Sequence, residues 1–237
     1  MNQSSPWQPI TPAKPARATR EPLTRERIVD TALRLLVEQG YEAVSMRKVA
    51  QALDTGPASL YAHVANKKEL DQLMLDRAAA DMVLPDADPE HWQEQLKAAM
   101  DEILRVMRAY PGLARAAIGQ VPLGEYAMLS TERMLAILKA GRVPDQAAAW
   151  AVDLIPLFIT ATAFEESVQG AADFAPEDLA GFVDQLRSFF GSLDPARFPL
   201  TIALAGAMTT GASGDDRFDF GAQVIIAGLA SMVPPQQ

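Results

Sequence analysis

Side chains able to do covalent or metal chemistry are scarce in this chain, whereas those able to read a nucleic acid are bunched. Cysteine is absent, which excludes thiol catalysis, disulfide scaffolds and Cys-ligated zinc or iron–sulfur centres, and His63 and His91 are the only histidines. No H-E-x-x-H, Gly-x-Ser-x-Gly or Gly-rich phosphate loop occurs. The adjacent acids Asp101-Glu102 and Asp215-Asp216 do not serve as catalytic pairs, because neighbours on a helix point about 100° apart. We expect no catalytic residue, no metal and no cofactor. What remains is a cluster in which Arg47, Lys48, Ser59, Tyr61, His63 and Lys67 surround the small residues Ala58 and Ala62. Cations, hydroxyls and small side chains so grouped suit contact with phosphates and base edges of DNA.

Helices must position these groups, and the apolar spacing supplies them. A first helix is predicted over Thr24 to Gln39, with Thr24 as N-cap and Gly40 as the stop. Ser45 caps a second, Met46 to Leu53; Asp54-Thr55-Gly56 breaks it; Pro57 opens a third that runs to about Val64. Two short helices behind a longer one form a helix-turn-helix. Stepping about 100° per residue from Pro57 places Leu60 and Val64 on the buried side and Ala58, Ser59 and Ala62 opposite. That small face can descend to base edges, with Tyr61 and His63 on its flanks toward the phosphates. Thr24 offers a hydroxyl and free amides to a phosphate. Each has a bland counterpart: a Tyr61 ring packed on the first helix, a solvated His63, an exposed Ser59 without a partner.

The 237 residues, 49% hydrophobic and 22% charged, suit a soluble protein with a sizeable core. The net charge of −9 is unevenly spread: ten Lys and Arg face eight Asp and Glu up to residue 75, and eleven face twenty-two beyond it. A mildly basic head on an acidic body orients on a polyanion. Residues 1–22, with five prolines, read as a flexible arm whose Lys14, Arg17 and Arg20 could touch a groove. No secretory signal is expected. The apolar run Ala147 to Phe164 holds Asp153, which costs roughly 2.5–3.5 kcal/mol at mid-bilayer. It reads as a buried helix, with no membrane partner and a cytoplasmic location.

The motifs Ile28-Val29-Asp30-Thr31-Ala32-Leu33, Ser45-Met46-Arg47-Lys48-Val49-Ala50, Ser59-Leu60-Tyr61-Ala62-His63-Val64 and Asn66-Lys67-Lys68-Glu69-Leu70 follow one another over residues 24–75. In order and spacing they resemble the TetR family of bacterial transcriptional regulators. Asp54 stands where that family usually has glycine, and Ala62 where it often has a larger residue. The resemblance implies a homodimer placing two recognition helices in successive major grooves of double-stranded operator DNA, and an all-helical second domain that binds a small-molecule inducer. It also implies that Arg47 reaches a base or its phosphate; Lys48 and Lys67 are taken as phosphate ligands. Beyond the head, Arg217-Phe218-Asp219-Phe220-Gly221 and Glu165-Glu166 resemble the tetracycline-repressor branch. Ala117 stands where that branch places a metal-binding histidine, so no magnesium-bound inducer is expected.

The expected fold is all-α: an arm (1–22), a three-helix DNA-binding domain (23–68) and a larger ligand-binding and dimerisation domain (69–237). Further helices are predicted near Lys67 to Leu84, His91 to Tyr110, Leu113 to Ile118, Gly124 to Lys139, Pro144 to Gln169, Pro176 to Leu193 and Asp215 to Val233, with a flexible loop over Thr209 to Gly214. Met100, Ile103 and Met107 form a stripe beside Trp92, Tyr126, Met134, Trp150 and Phe158, which together suit a mostly apolar ligand. Core packing is the alternative. Trp150, Leu154, Leu157, Phe158, Phe164 and Val168 share a face that takes in Glu165, a carboxylate then needing an arginine or a polar ligand group; Glu166 points away. Gly221 and Gly228, with Val224, Ile225 and Leu229, suggest close helix approach at a dimer interface that also uses Phe164. An intrachain contact is the alternative. The expected function is a ligand-responsive repressor acting on a (pseudo)palindromic operator. The rivals are a helical enzyme or carrier that has kept the head, and a DNA-packaging protein.

Overall fold

In the computed structural model, residues 22–171, 176–209 and 214–235 are described. They form helices α1 (Arg25–Gln39), α2 (Met46–Ala52), α3 (Pro57–Tyr61), α4 (Lys67–Ala79), α5 (Trp92–Ala109), α6 (Leu113–Ala117), α7 (Glu125–Ala140), α8 (Asp145–Ala171), α9 (Pro176–Gly191), α10 (Pro199–Thr209) and α11 (Gly214–Ser231), with no strand among the described residues.

Local chemistry explains the ends of the head helices. The Thr24 hydroxyl accepts the Arg27 amide, the Ser45 hydroxyl that of Lys48 and the Asn66 side chain that of Glu69, each satisfying an amide the helix cannot. Gly40, at φ 79, closes α1 by donating its amide to Leu36. Pro57 occupies the first turn of α3, where a missing donor costs nothing. Helix α3 ends at Tyr61 rather than near Val64, and Val64 is buried just beyond it. Helix α4 stops at Ala79, short of the predicted Leu84.

Two cores result. In the head, Ile28, Leu36, Val49, Leu60, Leu70 and Met74 are fully buried, together with Val106, Leu113 and Ala116 from α5 and α6. The body core gathers Leu96, Met100, Ile137, Leu138, Ile155, Ile159 and Phe218, and Met82 and Met107 pack against both clusters. Polar contacts reinforce the joint. Arg77 reaches Asp30 on α1 (3.4 Å) and Asp81 (2.9 Å); Tyr110 donates to Asp81 (2.6 Å); and the Ala127 amide in the first turn of α7 donates to Asp76 on α4 (3.0 Å).

Helix α8 reverses the expected orientation. Its buried side is Ala148, Ala151, Ile155, Ile159 and Ala163, while Trp150, Leu154 and Leu157 are 69%, 52% and 59% exposed. The small residues face inward because α8 runs close against α5, α6 and α7. Helix α10, not predicted, is an apolar segment without a polar face. Thr209 belongs to its last turn, where its hydroxyl donates to the Ala205 carbonyl; residues 210–213 of the expected loop lie outside the described residues.

Candidate DNA-reading head and regulatory core

Leu60 and Val64 are fully buried and anchor α3, while Pro57, Ala58, Ser59 and Ala62 are exposed, as the helical step requires. Tyr61 is 53% exposed and therefore not a ring packed into the core. His63 is half-buried, and its carbonyl accepts from Arg25 Nε at 3.1 Å. Arg47 and Lys48 are exposed on the first turn of α2. Arg47, Gln51, Thr55 and Pro57 line an open cleft between α2 and α3.

Two expected phosphate ligands already have protein partners. The Thr24 hydroxyl is engaged by the Arg27 amide, and the Glu26 carboxyl beside it is held below the ordinary range, first by its own backbone amide and then by that hydroxyl. Lys67 does not project freely: its ammonium pairs with Asp71 and lies 4.2 Å over the Tyr41 ring.

In the body, Met100, Ile103, Met134 and Trp92 are buried in one core, and Met107 and Phe158 pack against it. The Trp92 ring lies on the backbone of Gly141, where any Cβ would collide with it. Phe158 stacks on Phe218 at 5.4 Å and 11°. Tyr126 and Trp150 are not brought into this core; both are exposed. Glu165 is also exposed and pairs with Arg217 of the same chain at 3.2 Å. Glu166, expected to point away, accepts two hydrogen bonds from Arg108 at 2.7 and 2.8 Å. The same guanidinium donates to Asp215 at 2.7 Å, tying α5, α8 and α11 together. Glu166 first, against the opposing effect of burial, and then Asp215 raise the Arg108 pKa.

The residues proposed for a dimer contact divide in the same way. Leu229 is buried in the body core, and Phe164 and Ile225 pack against it. Gly221 makes an intrachain contact, its backbone lying against the Phe158 ring with no room for a Cβ. Val224 is exposed, and a Cβ on Gly228 would meet no described atom within 4 Å.

Residues 28–71 of the chain match the family described as bacterial regulatory proteins, tetR family, and residues 84–233 match the tetracyclin repressor-like C-terminal domain. The chain belongs to the TetR family. DrrR1 of Streptomyces coeruleorubidus, an HTH-type transcriptional repressor, is 30% identical over 230 residues, 94% of this chain and 83% of its own. Apo ActR of Streptomyces coelicolor superposes with a TM-score of 0.81 at 41% identity, covering 90% of this chain and 97% of ActR. ActR in complex with actinorhodin gives a TM-score of 0.82 at 40% identity, covering 91% and 100%. As a TetR-family protein, the molecule is a ligand-responsive transcriptional repressor that binds operator DNA, and not an enzyme.

Within that family frame, Asp54 adopts the left-handed conformation that the turn demands (φ 51), which aspartate tolerates better than most side chains. Gln51 and Thr55 were missed as candidates for the head. The signal was present: Gln51 lies four residues after Arg47, on the same face of α2.

Proposed function

We propose that the protein represses transcription as a homodimer whose two α2–α3 heads dock in successive major grooves of a (pseudo)palindromic operator, and that a mostly apolar molecule entering the α5–α7–α8 core releases it. The observation carrying this reading is the exposed small face of α3, Ala58, Ser59 and Ala62, held outward by fully buried Leu60 and Val64. Small side chains let the helix approach base edges, while Arg47, Lys48, Tyr61 and His63 supply base and phosphate contacts around it. Met100, Ile103, Met134 and Phe158 give the ligand region its apolar, adaptable character. Actinorhodin, bound by the similar ActR, is the first ligand to try. The working division is a head over 23–68 and a body over 69–237, with the repressor acting in the cytoplasm.

The second copy is assigned to α8 and α11. These helices pack together, and each leaves an apolar row uncovered: Trp150, Leu154 and Leu157 on one, Phe220 and Val224 on the other. Fluorescence anisotropy on DNA from upstream of its own gene tests the whole reading. Specific binding should lie in the nanomolar range, fall steeply with salt and weaken on adding actinorhodin. Binding that ignores sequence would refute the operator; specific binding that ignores actinorhodin would refute that ligand alone.

A further inference from the structure

Lys67 begins α4, at the end of the head that the reading above turns toward DNA, yet its ammonium is folded back one helical turn onto Asp71. Asp71 is the one buried carboxylate among the described residues, 4% exposed on a face otherwise made of Leu70, Met74, Leu75, Ala78 and Ala79. One of its oxygens takes Lys67, and the other accepts from the Tyr41 hydroxyl at 3.0 Å. The Tyr41 ring lies under the lysine at 4.2 Å, with the Arg115 guanidinium 5.7 Å from the same ring and paired to Glu42 at 2.8 Å.

Helix stability does not account for this arrangement. A cation in the first turn sits against the positive end of the helix dipole, and a lysine four residues before its acid is the weaker order for such a pair. The carboxylate also draws the charge away from the helix start, toward Tyr41 and the interior. We propose that Asp71 is an intramolecular competitor of the operator for Lys67: it holds the ammonium off the phosphate backbone and thereby sets affinity below what the head could reach. This rests on the reading that the start of α4 faces DNA. Any phosphate that recruits Lys67 must first draw it from a buried partner that the Tyr41 hydroxyl also fixes.

The test uses the full chain and a fragment selected from random-sequence DNA by the protein itself, with affinity measured from 50 to 300 mM KCl. Asp71→Asn and Asp71→Leu should both tighten binding about three- to tenfold at low salt. They should also steepen the slope of log affinity against log salt by about 0.9 per head, as expected for one further phosphate neutralised. The leucine variant guards against misfolding, because an apolar residue suits the surrounding face and leaves no buried polar group at position 71, while the released Lys67 ammonium, 32% exposed, can turn to solvent. Lys67→Ala alone should change affinity less than twofold, and placed on either Asp71 variant it should cancel the gain. Weaker or unchanged binding with an unchanged slope in both Asp71 variants would overturn the proposal, as would a loss that persists equally without Lys67. A large loss from Lys67→Ala alone would overturn it too while supporting the DNA-facing reading, because the lysine would then already be engaged. No effect of Lys67→Ala in any background would remove that reading as well.

Discussion

Asp76 of α4 caps the first turn of α7, and glycine at position 124 leaves it the space to do so. The Ala127 amide donates to Asp76 Oδ1 at 3.0 Å, α7 has no side-chain cap of its own, and a Cβ on Gly124 would overlap the Asp76 carboxylate. A helix of the regulatory body is thus capped from the helix that joins it to the head.

Removing this cap should be measurable. Asp76→Ala should cost about 1 kcal/mol, the usual worth of a cap, and Gly124→Ala about 1–3 kcal/mol, because it overpacks the contact and displaces the cap. Urea unfolding gives the magnitudes. Faster amide exchange at Ala127 locates the effect, and unchanged exchange there in both variants would contradict the assignment.

Acid should loosen the joint between α4 and α5. The Tyr110 hydroxyl first, and Arg77 after it, hold the Asp81 carboxyl below the ordinary carboxylate range. A carboxyl depressed in the folded state contributes stability above its unfolded pKa of about 3.9, and that contribution disappears as pH falls through the lower folded value. Asp81 is 40% exposed, so the effect is modest. Little change is expected between pH 7 and 5. Below about pH 4, backbone exchange around residues 77–83 should rise first, and Asp81→Asn should blunt that dependence.

Arg47→Ala should weaken operator binding by about 1–3 kcal/mol and relax preference at a single base step, the signature of a lost bidentate base contact. Lys48→Ala should weaken all sequences alike and flatten the salt dependence. Anisotropy against a panel of single-base operator variants distinguishes the two. Equal losses on every sequence from Arg47→Ala would reassign it to phosphate.

The two glycines of α11 should respond oppositely. Gly221→Ala pushes a methyl into the Phe158 ring and should destabilise the protomer by about 1–3 kcal/mol. Gly228→Ala meets open space within the protomer, and alanine favours a helix by about 1 kcal/mol, so protomer stability should rise. Sedimentation of the Gly228→Ala protein then asks about the partner: weaker self-association would place a second chain close against that residue.

The head was largely legible because its boundaries are written in single residues: caps at Thr24 and Ser45, a proline opening α3, and Leu60 with Val64 marking its inner side. Helix α8 was misread because it is apolar on two sides. The largest side chains, Trp150 and Leu154, suggested the interior, but close packing selects small ones, Ala148 and Ala151. Helix α10 lacks the polar face that makes periodicity visible. The Arg108 bridge joins residues 58 and 107 positions apart, and the burial of Asp71 depends on Tyr41, thirty residues away. Contacts at such separation have no local signature.

The uncovered rows on α8 and α11 bear on the life of the molecule as well as its assembly. With a second copy as their cover, a newly made chain is unfinished until it meets a sibling, and its melting temperature should climb with protein concentration. At a few copies per cell, dilution itself then becomes a way of lifting repression, alongside any effector.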